Sequence, residues 1–272
     1  MVLDGPANLA SERTVLDPLA LDPKGGTSID WYVPSRDAAL LAVSLSSSGS
    51  ERGDVHVYET ATSKQVAEVV PGVNYGTAGG SVAWAPDASG FYYTRYPRPG
   101  ERPAEDRDFY TQVYFHRLGT PTEQDRYEIG KDFPRIAEIR LEASLTTGHL
   151  LANVQNGDGG EFAQYVRAPH GTWTQLTSFQ DRVVHAVFGL DQSLYFLSRS
   201  GAPHGKILRL MLGASSQPRM ADAQVVVPED RDAVIAHNFG GADTILPTAS
   251  PLRRAAAWYR AHDRSRACLR RQ

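Results

Sequence analysis

The chain has 272 residues, 41% of them hydrophobic, with a formal net charge of -3. It is long enough for a sizeable core and too nearly neutral to point to nucleic acid or an acidic ligand. Its one cysteine, Cys268, excludes an intrachain disulfide and a cysteine-based metal site.

No apolar run approaches the ~20 residues a membrane helix needs, so no membrane partner is expected. Met1-Val2-Leu3-Asp4-Gly5-Pro6 has neither the basic nor the apolar region of a signal peptide. That leaves cytoplasm and periplasm both open.

Residues 1–28 read as a lead-in. The run Ile29-Asp30-Trp31-Tyr32-Val33-Pro34-Ser35-Arg36-Asp37 then opens a first unit. Leu40 to Leu45 is mostly apolar, as an inner strand covered on both faces should be. Asp54-Val55-His56-Val57-Tyr58 alternates like a half-buried strand. Thr60 to Lys64 is a hairpin loop, and Gln65 to Val70 is the expected outer strand. A second unit offers strands at Ser81–Trp84, Phe91–Arg95, Gln112–Arg117 and Arg126–Ile129. A third offers Ile139–Leu141, Leu150–Val154, Phe162–Val166 and Trp173–Leu176. A fourth offers Val184–Phe188, Leu194–Ser198, Lys206–Leu210 and Val225–Val227. Ala233 to Leu246 starts a fifth and does not complete it.

The units repeat. Pro34 to Pro86 is 52 residues, and Pro86 to Leu190, the like position in Gly189-Leu190-Asp191, is 104 or two periods. Short strands with a period near ~50 residues are the signature of propeller blades, four antiparallel strands to a blade. The expected fold is therefore all-β: a partial, open β-propeller of about four four-stranded blades plus the start of a fifth, over residues 29–249. Pro97 to Arg107, rich in Pro, Arg and Glu, and Leu212 to Ala223 fall where blades place loops. The first is expected to be a mobile excursion.

The grammar changes at Ser250. Residues 250–272 hold seven arginines against the single acid Asp263, a net +6, so the preceding 249 residues carry -9. A basic tail for nucleic acid, an amphipathic cap helix and translation in a wrong frame are the three readings. The last is preferred, because turn and strand patterning stop in the middle of a blade.

Candidate chemistry is sparse. Asp37, Asp87 and Asp191 recur at one turn position, which points to Asx-type turn formers rather than paired catalytic carboxylates. Asn156-Gly157-Asp158-Gly159-Gly160-Glu161 is read as a hairpin turn with glycine at positive φ, not a calcium loop. His56, His116, His149, His170, His185, His204 and His237 lack metal-ligand spacing. Trp31, Trp84 and Trp173 are expected to fill space between blades. No metal or cofactor is expected.

Three strings identify a resemblance. They are Ile29–Asp37 followed by Leu41-Ala42-Val43-Ser44-Leu45-Ser46, then Ser81-Val82-Ala83-Trp84-Ala85-Pro86-Asp87-Ala88-Ser89-Gly90-Phe91-Tyr92-Tyr93-Thr94-Arg95-Tyr96-Pro97, then Gln112-Val113-Tyr114-Phe115-His116-Arg117-Leu118-Gly119-Thr120. In this order they resemble the propeller of the prolyl oligopeptidase family. The resemblance covers roughly residues 10 to 250.

It implies a seven-bladed propeller paired with an α/β-hydrolase domain that carries serine, aspartate and histidine. The propeller there restricts access to short proline-containing peptides, which are cut after proline. Gly-x-Ser-x-Gly occurs nowhere in this sequence; Gly49-Ser50-Glu51-Arg52-Gly53 comes nearest, with its serine misplaced. No catalytic residue can be carried over, and inactivity without the missing α/β-hydrolase domain is expected.

The family also lends its pocket an aromatic just before the Ser81–Trp84 strand, where this chain has Gly79-Gly80. An Arg and a Cys lie after the Leu150–Val154 strand, where this chain has Gln155-Asn156-Gly157-Asp158. No binding residue is carried over. The alternatives are a non-catalytic propeller that binds a peptide or protein, and a piece of oligopeptidase B or an acylaminoacyl peptidase.

Overall fold

The computed structural model describes residues 8–66, 69–169, 171, 173–212 and 218–235. Among these, the strands form four antiparallel four-stranded sheets, each meandering in chain order. The first holds β1 (Thr27–Pro34), β2 (Leu40–Ser47), β3 (Gly53–Glu59) and β4 (Val70–Asn74). The second holds β5 (Val82–Trp84), β6 (Gly90–Arg95), β7 (Gln112–Arg117) and β8 (Arg126–Ile129). The third holds β9 (Ala137–Ala143), β10 (Leu150–Asn156), β11 (Phe162–Arg167) and β12 (Trp173–Thr177). The fourth holds β13 (Val183–Phe188), β14 (Ser193–Ser198), β15 (Lys206–Met211) and β16 (Gln224–Val227).

This is the blade arrangement of a partial β-propeller. The start of a fifth blade lies almost wholly outside the described residues, and residues 250–272 lie entirely outside them. The chain divides into two compact units, residues 1–141 and 142–272.

In the first unit the apolar run of β2 is covered on both faces, with Ala42 0% and Val43 1% exposed. Ala42 packs with Val55, Val57, Val70 and Val73 of its own blade and with Val82, Trp84, Phe91 and Tyr93 of the next. Trp84 crosses the seam and donates its Nε1–H to the Val33 carbonyl at 3.0 Å, while Trp31 donates to Asn74 Oδ1 at 3.0 Å. Both tryptophans therefore fill the space expected of them. Trp173 begins β12 and is half-buried.

Gly90, at the start of β6, lies so close to β7 that a Cβ would stand 2.1 Å from the His116 carbonyl oxygen. Only glycine lets the strands pair there.

In the second unit Leu151, Val166 and Leu176 of one blade pack on Ala186, Phe188, Leu194 and Phe196 of the next. Polar side chains cross this seam too. Asn153 Nδ2 donates to the Ala186 carbonyl at 2.9 Å, and Gln164 Nε2 donates to the Val183 carbonyl at 3.3 Å.

One strand differs from the sequence expectation. Among the described residues the outer strand of the first blade is Val70–Asn74 rather than Gln65–Val70, and Gln65 makes an isolated bridge to Tyr58. Burial decides this. Val70 and Val73 are 0% exposed and complete the core against the next blade, whereas Val66 is 48% exposed. The strand forms where its valines have a partner surface.

Candidate functional site

The turns that join the first and second strands of each blade show what the recurring aspartates do. Asp37 Oδ1 accepts from the Ala39 N–H at 3.1 Å and from Ser35 Oγ at 2.7 Å. Asp87 Oδ1 accepts from the Ser89 N–H at 3.0 Å and from Ser89 Oγ at 2.8 Å. These bonds hold both carboxyls below their usual range, through the Ser35 hydroxyl first at Asp37 and the Ser89 N–H first at Asp87. In the third blade Ser144, at the position of Ser35 and Ala85, holds the turn instead: its Oγ accepts from the Thr146 and Thr147 N–H groups.

Asp191 departs from the expectation. Its turn is one residue shorter: Gly189 bonds back to Ser193, whereas Ser35 bonds to Leu40 and Ala85 to Gly90. The residue two positions on, Ser193, has already entered β14. Asp191 instead pairs with Arg209 at 2.8 Å and accepts from the Tyr195 hydroxyl at 2.8 Å.

A buried polar trio sits in the second blade, and no local pattern in the sequence announces it. Asp125, 2% exposed, accepts from His116 Nδ1 at 2.8 Å and from the Tyr93 hydroxyl at 2.6 Å. Arg98 Nη2 stands 4.0 Å from the same carboxylate. Burial first, then the bond to Asp125, pushes the Tyr93 phenol far above its usual range. His116 is 0% exposed and its Nε2 has no partner. The carboxylate, not the imidazole, is the middle member, so this is not the hydroxyl–imidazole–carboxylate order of an acyl-transfer triad, and all three side chains are buried. The trio ties β6, β7 and the turn before β8 together.

The other sequence candidates are engaged in structure. Asn156 to Glu161 closes the β10–β11 hairpin, with Asn156 N–H bonded to the Glu161 carbonyl and Gly160 at φ 72. His56 bonds Gln65, His149 bonds Thr147 Oγ1, and His204 bonds the Asp230 carbonyl. Burial holds His149 below the usual imidazole range. His185 is buried on β13. His170 and His237 lie outside the described residues. Among the described residues, no group of three or more His, Cys, Asp or Glu could hold a metal ion.

At the opposite end of the first unit's blades, four loops converge through arginines and aromatic rings. They are Ser48–Arg52, Tyr75–Gly80, Tyr96–Thr111 and Gly130–Ile136. Tyr75 packs on Tyr96 with ring centroids 4.2 Å apart, and Arg52 lies 5.7 Å from the Tyr75 ring centroid. Burial raises both phenols, Tyr96 to about 12.

The excursion Pro97–Arg107, expected to be mobile, is tethered at several points. Glu101 takes a bidentate bond from Arg95 at 2.7 and 2.9 Å, which lowers its carboxyl. Asp106 pairs with Arg135 at 3.2 Å, and Asp108, just past the excursion, pairs with Arg52 at 3.1 Å. Arg102 lies over the Tyr110 ring and Arg135 over that of Phe109, at 3.7 and 3.4 Å.

The two glycines before β5 disfavour an aromatic for different reasons, crowding at Gly80 and backbone conformation at Gly79. A Cβ at Gly80 would stand 2.4 Å from the Val73 carbonyl oxygen, and Gly79 lies at φ 64. The ring nearest in sequence is Tyr75, which is bonded in both directions to Gly79. What these loops present is a rim braced by arginines.

Residues 3–244 match the family description "Prolyl oligopeptidase, N-terminal beta-propeller domain". The chain is 34% identical over 233 residues to a prolyl endopeptidase of Elizabethkingia meningoseptica, covering 83% of this chain and 31% of that protein. It is 28% identical over 251 residues to prolyl oligopeptidase A of Amanita bisporigera, covering 82% of this chain and 31% of that one. The chain thus spans about a third of the length of these relatives.

Among solved structures, one from a study of two prolyl endopeptidases matches with a TM-score of 0.68 at 22% identity, over 80% of this chain and 31% of that one. Oligopeptidase B from Leishmania major matches with a TM-score of 0.62 at 18% identity, over 83% of this chain and 30% of that one.

Proposed function

We propose a function from one premise: this chain belongs to the family of the prolyl oligopeptidase N-terminal β-propeller domain. In this reading its blades, residues 29–249, are the substrate-gating part of a serine endopeptidase that cuts short peptides after proline. The chain's own residues carry no step of hydrolysis. The observation that carries the reading is the match over residues 3–244, joined to a sequence without Gly-x-Ser-x-Gly.

The partners are then short proline-containing peptides and an α/β-hydrolase domain that supplies nucleophile, base and oxyanion hole. The propeller's part is steric. The arginine-braced loops at the end of the first unit fix the width of the rim, and Gly79 and Gly80 before β5 offer backbone at the place where the family carries an aromatic. Likeness of fold alone does not separate prolyl oligopeptidase from oligopeptidase B. The 34% identity to a prolyl endopeptidase favours the former.

The experiment has two arms. The chain alone, given a fluorogenic proline-ended peptide and a fluorophosphonate probe, should show neither turnover nor labelling. Stoichiometric labelling of one serine would overturn its inactivity. In the second arm the chain replaces the matching stretch of the Elizabethkingia prolyl endopeptidase. The chimera should cut short proline peptides and spare long unfolded chains. A chimera that digests both at the same relative rate would sink the gating role.

A further inference from the structure

Arg95 ends β6 on the face that carries Phe91 and Tyr93. Its side chain is 5% exposed, and its guanidinium carbon lies 3.7 Å from the Tyr114 ring centroid. A buried cation is costly unless an anion meets it. Glu101 is that anion. It stands on a short turn, where its N–H bonds the Arg98 carbonyl at 3.0 Å and Gly100 lies at φ 91. Its carboxylate takes both Nη atoms of Arg95, and Oε2 also accepts from the Arg98 N–H at 2.7 Å. The Glu101 side chain is 40% exposed, so the carboxylate reaches the cation from the solvent side.

The fit is incomplete. Arg95 Nη1 has a second acceptor in the Tyr96 carbonyl at 2.9 Å. Nε is buried and, among the described residues, has no hydrogen-bond partner. Glu101 grips the end of the guanidinium and leaves its side unused. A carboxylate that is not tied to a loop can shift onto Nη2 and Nε, the other fork that the planar group offers.

We propose that Arg95 is a carboxylate-binding site which Glu101 fills as an internal ligand, and that a small free carboxylate can take its place. Two parallel N–H···O bonds select a carboxylate over a spherical anion of the same charge. The site needs no catalytic partner, so it stands or falls apart from any role in gating a peptidase.

The test uses the full chain and Glu101→Ala, which keeps Arg95 and empties its seat. Thermal melts are compared in sodium acetate and in sodium chloride of the same ionic strength. Acetate should raise the midpoint of Glu101→Ala by several degrees and saturate, as a ligand bound only by the folded state does, and chloride should not. The parent should need at least about ten-fold more acetate for the same shift, because Glu101 competes at the effective concentration of a short tether. Adding Arg95→Met to Glu101→Ala should abolish the difference between the salts. Glycylglycine set against glycylglycinamide separates two sources of carboxylate. A response to glycylglycine alone supports a site that takes peptide ends, and a response to acetate alone supports one that takes free acids.

A Glu101→Ala midpoint that moves equally in acetate and chloride overturns the proposal. So does an acetate response that survives Arg95→Met. If Glu101→Ala is unfolded in chloride, recovery of its strand circular dichroism in acetate supports the site. If it stays unfolded in both, Glu101→Gln, which keeps the side chain's shape and one acceptor, is melted instead. Acetate should stabilise it more than chloride does, and indifference to acetate refutes the site.

Discussion

Removing the Asp125 carboxylate should unfold the second blade's polar trio at large cost. Asp125→Ala leaves the Tyr93 hydroxyl and His116 Nδ1 without their acceptor, in a site where Asp125 is 2% and His116 0% exposed. A buried donor left unpaired costs about 1–3 kcal/mol. Two such donors give about 2–6 kcal/mol, a large share of the roughly 5–15 kcal/mol that holds a domain folded. Tyr93→Phe removes one donor and leaves the carboxylate with His116 and, 4.0 Å away, Arg98. Its cost should be that of one bond to a charged group, about 1.5–3 kcal/mol.

Urea unfolding followed by tryptophan fluorescence is the assay, because Trp31 and Trp84 border the seam between the first two blades. The midpoint should fall most for Asp125→Ala and less for Tyr93→Phe, with the slope unchanged. Since the two share one bond, the double variant should lose less than the sum of the singles. Replacing all three by apolar residues of similar volume should recover part of the loss. A loss below about 1 kcal/mol for Asp125→Ala, or strict additivity in the double variant, would refute the reasoning.

Three further outcomes follow from named contacts. Gly80→Ala drives a methyl against the Val73 carbonyl oxygen, 2.4 Å from the ideal Cβ position. It should destabilise by about 1–3 kcal/mol, read by thermal melting; a neutral result would show that the loop before β5 can yield. Burial lowers the folded-state pKa of His149 below its value in the unfolded chain. The stability it contributes is therefore complete above the ordinary imidazole pKa of about 6.5 and is lost as pH falls through the lower folded value. Urea midpoints at pH 8 and pH 5 should differ more in the parent than in His149→Gln, and equal differences would exclude the role. Asp106→Asn with Asp108→Asn removes both carboxylates that pair with Arg135 and Arg52. Limited chymotrypsin digestion at Phe109 and Tyr110, which these pairs hold in place, should speed up several-fold, and unchanged cleavage would show that the Arg95–Glu101 pair suffices to hold the loop.

Blade count and strand order were legible in the sequence because they rest on local chemistry. Alternation in Asp54–Tyr58, the unbroken apolar run of Leu40–Leu45 and turn residues spaced 52 apart depend on neighbours within a few positions. Asp37 and Asp87 were read as turn formers for the same reason, since each bonds the backbone two residues on. Asp191 looked identical in sequence, yet a turn shorter by one residue sends it to Arg209 and Tyr195. The outer strand of the first blade moved to Val70–Asn74 because only there do valines meet the next blade. Asp125 lies 32 residues from Tyr93, so no local pattern could announce that pair. The sequence by itself determined what each segment prefers to become. Tertiary structure decided which side chains meet, because a buried contact is selected by the whole set of surfaces that exclude water together, and chain neighbours supply only part of that set.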